Sequence, residues 1–360
     1  MRVLPLASPK PSRCRISLSP CHLVTFGIIL DDLVFPDGRT ALGVLGGGGP
    51  QSAFGMRLPA LAGWTDKTEV GLVAGVGRDL PDAARAQLDS AGIDLAGVRI
   101  GDLPTPRAWQ VLEADGHRTQ VWRVAGRVVG AQLGRTLDRI PPAYRSAHGF
   151  HLGIHPDEPD LDFIYQLRQL QSPTPKTLSP MISLEPFKPA DHPPTDAALR
   201  QLCSAADVFS PNLAEARSLA GEAAPGELSR RLAEAGARIV ALRMGQDGSL
   251  VCTKEKDTLV HVPAVPTTVV DPTGAGNAYC GGFLAGYVQT DDVLTAAQYG
   301  TVAASFLVEQ VGLPPINDRL RDEADRRLHI LQGAYPHDYQ HHAGSNLQSA
   351  APAPSGAAHI

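Results

Sequence analysis

Seven residues, Asp271-Pro272-Thr273-Gly274-Ala275-Gly276-Asn277, lead straight into the small, apolar run Ala278 to Val288. A glycine-rich turn that feeds a helix suits phosphate chemistry. The first backbone N–H groups of a helix have no acceptor inside it, and with the helix dipole they form a site for a transferring phosphate. Glycine lets that backbone come close to a ligand. Asn277 can orient a hydroxyl through its amide, but unlike a carboxylate it accepts no proton at neutral pH. General-base help is worth roughly 10²–10⁴-fold in rate.

Other residues could serve the same chemistry. Asn212-Leu213-Ala214-Glu215 follows Asp207 to Pro211 and opens a predicted helix; its plainest reading is an N-cap with its capping-box partner. Gly245-Gln246-Asp247-Gly248 reads first as a hairpin turn, where glycine supplies positive φ at no cost. Near the start stands Gly46-Gly47-Gly48-Gly49-Pro50-Gln51, and Asp31 and Asp32 close the first predicted strand. Open α/β sheets place ligands outside strand ends, so either Asp is a binding candidate or simply a strand-end carboxylate. His148, His151 and His155 do not make a convincing metal set, because on a strand 151 and 155 share a face while 148 points away.

The 271–277 stretch resembles the second signature of the PfkB family, the ribokinase and adenosine kinase group, which reads Asp-Thr-x-Gly-Ala-Gly-Asp. Pro272 stands at the family's Thr, and Asn277 at the Asp that takes the proton from the substrate hydroxyl. The resemblance implies a ribokinase-like α/β sandwich, a mostly parallel sheet with helices on both faces and a small β lid at about 104–126. It implies transfer of the ATP γ-phosphate to a hydroxyl of a sugar, nucleoside or related small molecule. Gly274, Ala275 and Gly276 would stabilise the moving phosphate, Asn277 would orient the hydroxyl, and Thr273 would border the nucleotide. Asn212 and Glu215 resemble the family's Asn-x-x-Glu motif, which organises Mg2+ and phosphate through water; one or two carboxylates suffice for such an ion. Gly245 and Gly248 match its nucleotide-pocket turn. Gly47, Gly48 and Gln51 match the first signature, with Gln51 in place of a substrate-binding Asn, and Asp32 matches the sugar-binding Asp with Asp31 its near competitor. Gly75-Val76-Gly77-Arg78-Asp79 and Ala91-Gly92-Ile93-Asp94 match scaffold beside the substrate.

The variant pattern is also similar to that of PfkB-like fungal proteins linked to killer-virus maintenance. Pro272, Asn277 and Gln51 together motivate a competing expectation, a pseudokinase that binds nucleotide or metabolite and regulates a partner. Family lid strands pair between subunits, so Trp109 and Trp122 would line a homodimer interface or simply cover the cleft.

The elements that must position these residues alternate. Val24 to Leu30, Val70 to Ala74, Gly149 to Ile154, Met181 to Leu184 and Arg238 to Leu242 are predicted strands. Pro81 to Ala91, Leu161 to Leu170, Asp196 to Ala205, Gly226 to Ala235 and Gly274 to Val288 are predicted helices, and Val293 to Val311 is a buried one. This βα alternation predicts a mostly parallel sheet covered on both faces. Ala108 to Leu112 and Thr119 to Val124 flank Asp115-Gly116, a hairpin signal. Gln171 to Pro194 is dense in proline and reads mostly as loop. One kinase domain over 22–333 is expected, between tails at 1–21 and 334–360.

The 360 residues, 43% of them hydrophobic, can bury a large core. The net charge of −5, with the signs mixed, gives no basic surface for nucleic acid. The longest apolar segment is broken by Gln298, Glu309 and Gln310, so no membrane span is predicted. Five scattered cysteines suggest neither a disulfide framework nor a zinc site, and a reducing, cytoplasmic setting fits. Residues 1–21 are basic and free of acid, faintly like a mitochondrial transit peptide, but Pro5, Pro9, Pro11 and Pro20 oppose the helix such a peptide needs. No P-loop Gly-Lys pair and no dinucleotide-binding glycine pattern after a strand is present.

Overall fold

Strands rich in Val, Ile and Leu on both faces must be covered on both faces, and this decides the architecture. The computed structural model describes residues 21–114, 118–171, 179–255 and 258–334. In chain order the strands are β1 (Cys21–Phe26), β2 (Ile29–Val34), β3 (Thr40–Gly46), β4 (Thr68–Gly77), β5 (Ile93–Gly101), β6 (Arg107–Leu112), β7 (Arg118–Trp122), β8 (Gly149–Ile154), β9 (Met181–Pro186), β10 (Val208–Phe209), β11 (Ile239–Arg243), β12 (Ser249–Thr253) and β13 (Thr258–Val262). The helices are α1 (Gly48–Leu61), α2 (Asp82–Ser90), α3 (Gly126–Leu133), α4 (Leu161–Arg168), α5 (Asp196–Ser204), α6 (Leu213–Ala220), α7 (Pro225–Glu234), α8 (Ala275–Thr290), α9 (Val293–Val308) and α10 (Asp318–Gly333).

A nine-stranded sheet runs β13-β12-β11-β10-β9-β8-β1-β4-β5. From β11 to β5 the pairings are parallel, and β12 and β13 add an antiparallel edge. Two apolar layers flank it. One includes Phe54, Met56, Leu72, Phe283 and Leu307, from β4 and the α1, α8 and α9 side; the other includes Phe150, Phe163, Leu184, Leu202 and Leu232 on the α4, α5 and α7 side. The sandwich expected from the alternating pattern is present.

A second sheet, ordered β3-β2-β6-β7, stands apart from the first. The predicted hairpin is there as β6 and β7, with Trp109 opposite Val121, while its Asp115-Gly116 turn lies outside the described residues. The predicted strand Val24 to Leu30 is corrected: it is two strands in two sheets. The chain breaks at Gly27 (φ +87°), whose N–H donates to Val73 O, and then leaves β1 for β2. Continuous strand-forming residues hid that break, since nothing in 24–30 except one glycine disfavours a strand. Predicted loop within Gln171 to Pro194 surrounds β9, although 172–178 lie outside the described residues, as do the two tails at 1–20 and 335–360. Among the described residues, no helix is long and apolar enough to cross a membrane. Cys203, Cys252 and Cys280 are buried in the core.

Candidate active site

The N-termini of α1 and α8 lie side by side. Gly48 stands against Asn277, and further along Gly55 faces the Ala278 carbonyl while Gly281 faces Ser52, so the two helices run parallel. Each begins at a glycine with positive φ, Gly47 (83°) and Gly274 (85°), and neither start carries a side-chain cap. By contrast, α6 and α9 are closed by Asn212 and Asp292. Two adjacent positive dipole ends, neither closed by a side chain, favour an anion, although the Gly49 N–H already donates to Gly27 O and the Ala275 N–H to Pro272 O. Residues 273–277 are half-buried, so the turn is neither sealed nor remote.

Two side chains border this turn. Gln51, on the first turn of α1, lies over Gly274; a Cβ there would overlap its amide, so glycine is required both by φ and by space. Asn277 Nδ2 donates to Gln51 Oε1 at 2.7 Å. On the other side, the Arg243 guanidinium lies against Gly276, where any Cβ would overlap its Nη1.

Arg243 ends β11 and joins two buried carboxylates. Its Nη1 is 3.3 Å from Glu185 Oε2 and its Nη2 3.2 Å from Glu215 Oε2, and Nη2 also donates to Ser210 O at 2.8 Å. Glu185, at the end of β9, also accepts from the Cys280 thiol at 3.3 Å and faces His151 Nε2 at 3.6 Å. Burial alone would raise Glu185, but Arg243 and His151 outweigh it and hold the carboxyl below the usual range. Burial pushes Glu215 up to about 7, with negative Glu185 adding to the effect and Arg243 opposing it. His151, Glu185 and Cys280 bring donor atoms within 4.8 Å of one another. Arg243 already supplies the positive charge there, and burial keeps Cys280 a thiol.

Glu215 fulfils the plain reading and reaches the site as well. Asn212 Oδ1 accepts from the Glu215 N–H at 2.9 Å, and Glu215 Oε2 accepts from the Asn212 N–H at 2.7 Å, which completes the capping box. A parallel bridge between Asn212 and Arg243 places that box beside the anion turn. Gly245 and Gly248 form the β11–β12 hairpin turn, with the Met244 N–H donating to Gly248 O at 2.8 Å. The Thr273 N–H donates to buried Asp271 at 2.9 Å, and burial raises the Asp271 carboxyl.

Asp32 does not join this group. Arg107 donates to it at 2.7 Å, Arg123 pairs with it, and the Gly43 N–H donates at 2.8 Å, so both its oxygens are used within the small sheet. Its neighbour on the opposite face of β2, Asp31, packs on Gly46, accepts from the Gly47 N–H and accepts from Gln110 at 2.8 Å. Burial raises Asp31 to about 6. Asp32 and Asp31 therefore serve different surroundings, because a one-residue step on a strand changes face. His151 and His155 separate too: the first joins Glu185, while the second, beyond the end of β8, lies with Asp157 and Asp191.

The sequence reading missed Arg243 and Glu185. Each is a charged residue ending an apolar strand, Ile239–Arg243 and Met181–Pro186, at the carboxyl edge where open sheets bind ligands. That signal was present in the chain.

Solved structures match this architecture. A nucleoside kinase of Methanocaldococcus jannaschii, an archaeal ribokinase-family member, aligns over 86% of this chain and 98% of its own with a TM-score of 0.60 at 21% identity. The fold is ribokinase-like. Residues 57–318 match the pfkB family carbohydrate kinases, and the chain belongs to that family. It is 32% identical over 293 residues to a cytidine kinase of Thermococcus kodakarensis, covering 81% of this chain and 97% of that protein. It is also 32% identical over 187 residues to protein MAK32 of Saccharomyces cerevisiae, covering 46% and 51% respectively.

Proposed function

We propose that this protein transfers the ATP γ-phosphate to a hydroxyl of a small molecule, a nucleoside before a simple sugar. The single observation that carries the reading is the pair of uncapped helix starts beside Arg243 and Glu215. Similarity to a cytidine kinase across nearly that protein's full length supports the nucleoside preference. Gly274, Ala275 and Gly276 cradle the phosphate with Thr273 at the rim, and the Gly245–Gly248 turn borders the nucleotide. Mg2+ neutralises phosphate charge, and Glu215, both of whose oxygens already have protein partners, holds it through water. Acceptor hydroxyls lie between Asp31, Gly47–Gly48 and the Gln51–Asn277 pair.

The small sheet serves as the lid over this cleft. Its edge strand β7 leaves Val121 49% and Trp122 37% exposed, a surface a second copy could cover. Cytoplasmic residence fits the same reading.

One observation favours a second reading. The position of a general base is held by an amide that donates to another amide, which suits a nucleotide-binding regulator without turnover. Calorimetry with MgATP, followed by ADP release across a nucleoside and sugar panel, tests both. MgATP binding with turnover on a nucleoside supports the kinase. Binding without turnover on any acceptor supports the regulator, and no binding at millimolar MgATP removes both.

A further inference from the structure

We propose that Arg243 is a catalytic residue that contacts the transferring phosphoryl group, and that Glu185 and Glu215 hold its guanidinium in place for that contact. The inference rests on the phosphotransferase reading above. It concerns a residue for which neither glycine signature has a counterpart.

The position of the guanidinium is the first argument. Nη1 packs directly on Gly276, the second residue of α8, in the space a phosphate at that turn must approach. Arg243 is fixed there by its backbone N–H, which donates to Pro211 O at 2.9 Å, and by Ser210 O. Charge is the second argument. A cation at a helix N-terminus is repelled by the dipole, so stability of α8 does not account for this placement. Two carboxylates offset the repulsion, and an anion at the turn would be attracted by the helix and the guanidinium together. Spare bonding capacity is the third. Of the five N–H donors of an arginine, Nη2 spends its two on Ser210 O and Glu215 and Nη1 one on Glu185, which leaves Nη1, the atom on Gly276, a spare donor, while Nε is buried without a partner. A planar fork with an unused donor suits phosphoryl oxygens.

The chemistry gives this residue a task. The acceptor hydroxyl oxygen bonds to the γ-phosphorus while the bond from that phosphorus to the β–γ bridging oxygen breaks, and its electron pair leaves with ADP. Asn277 cannot take the hydroxyl proton, which passes to an oxygen of the transferred phosphoryl group and then to water. Such a late proton loss is compatible with a loose transition state, whose charge lies on the phosphoryl oxygens. An arginine there is worth on the order of 10³–10⁵ in rate in other phosphotransferases. That contribution offsets much of what the missing carboxylate withholds.

The test uses the full chain and reads binding. MgADP affinity is measured by calorimetry with and without aluminium fluoride, which mimics the transferring phosphoryl group, on wild type, R243K and R243M. Wild type should bind MgADP on the order of 10²-fold more tightly when aluminium fluoride is present. Both variants should keep MgADP affinity within about threefold yet lose most of that gain, since lysine lacks the fork. A variant that keeps the full gain, or a wild type that binds MgADP and gains nothing, overturns the role of Arg243 and leaves the nucleotide reading standing. A wild type that binds neither MgADP nor MgATP removes the kinase reading and this inference together. If neither variant melts cooperatively, E185Q decides instead: it releases one hold on Arg243 and should keep MgADP affinity within about threefold while losing part of the gain, and an E185Q protein with the full gain overturns the proposal.

Discussion

Asn277 on α8 donates its amide hydrogen to Gln51 on α1 at 2.7 Å, joining the two glycine signatures across the mouth of the anion turn. The contact links two departures from the family pattern that look independent in the sequence. A carboxylate at 277 would face the same Gln51, whose amide can turn from acceptor to donor. The two amides thus form one unit across the mouth of the anion turn.

Restoring that carboxylate should therefore be structurally mild and chemically large. Asn277→Asp puts negative charge in the first turn of α8, which favours the helix by about 0.3–1 kcal/mol. Phosphoryl transfer to a nucleoside should rise on the order of 10²-fold as a general base becomes available. ADP release measured on wild type and variant with one acceptor panel checks it. An unchanged rate in a variant that still binds MgATP would mean that the acceptor does not meet residue 277.

Gly276→Ala separates helix stability from ligand binding. Alanine is the better helix former by roughly 1 kcal/mol, so propensity alone predicts a protein at least as stable. The added Cβ would overlap Arg243 Nη1, forcing the guanidinium off Glu185 and crowding the phosphate site. The expected result is at least about a tenfold loss of MgATP affinity, or 1.4 kcal/mol, with cooperative melting retained. Unaltered affinity by calorimetry would place the phosphate elsewhere.

Glu215 supplies a pH dependence with a definite sign. Its folded pKa of about 7 lies above the ordinary 4.5 because burial disfavours the charge. Folding therefore favours the protonated form, and that contribution is complete below the ordinary value and lost as pH rises through about 7. Holding Mg2+ needs the ionised form, so Mg2+-dependent nucleotide affinity should strengthen over the same range. Glu215→Gln should flatten both trends. Thermal melting and MgADP calorimetry from about pH 5 to pH 8 read them, and comparison with the variant cancels the titration of the nucleotide itself.

How much of this was legible in the chain differs by element. The turn 271–277 and the helix after it could be read because glycine spacing and an apolar run act locally. The strand at 149–154 coincides with β8, and the helices predicted at 81–91 and 196–205 agree with α2 and α5 to within a residue at each end, for the same reason. β2 was not separated from β1 because its pairing with β6 is decided by contacts from distant sequence, and β3, which pairs with β2 alone, was missed with it. All of α1 was missed, since it starts inside a glycine run that carries no helical period. Arg243 and Glu185 escaped because an isolated charge at a strand end has no partner in sequence; 58 positions separate them, and only the parallel order β9-β10-β11 brings them together.

The different surroundings of Asp32 and Asp31 give the last prediction. Asp32 is fully buried between Arg107 and Arg123, and Arg123 stacks on Trp109 at 4.8 Å, so this carboxylate ties β2 to β6 and the segment beyond β7. Burial would raise it, but hydrogen bonds from both arginines prevail and hold it at about 2. A carboxyl depressed on folding stabilises above its ordinary pKa of 3.8 and loses that contribution as pH falls toward about 2. Asp32→Asn should cost about 1–3 kcal/mol, less than a fully buried pair because both guanidiniums keep a third of their surface in water. MgATP affinity should stay within about threefold, since no group at the anion turn is touched. Asp31→Asn should do the opposite: MgATP binding persists, while the acceptor KM rises about tenfold or more through loss of a charged hydrogen-bond acceptor. Chemical denaturation and acceptor kinetics on the two variants measure both arms. If Asp32→Asn raised the acceptor KM and Asp31→Asn left it unchanged, Asp32 would be the substrate carboxylate and the assignment to Asp31 would fail.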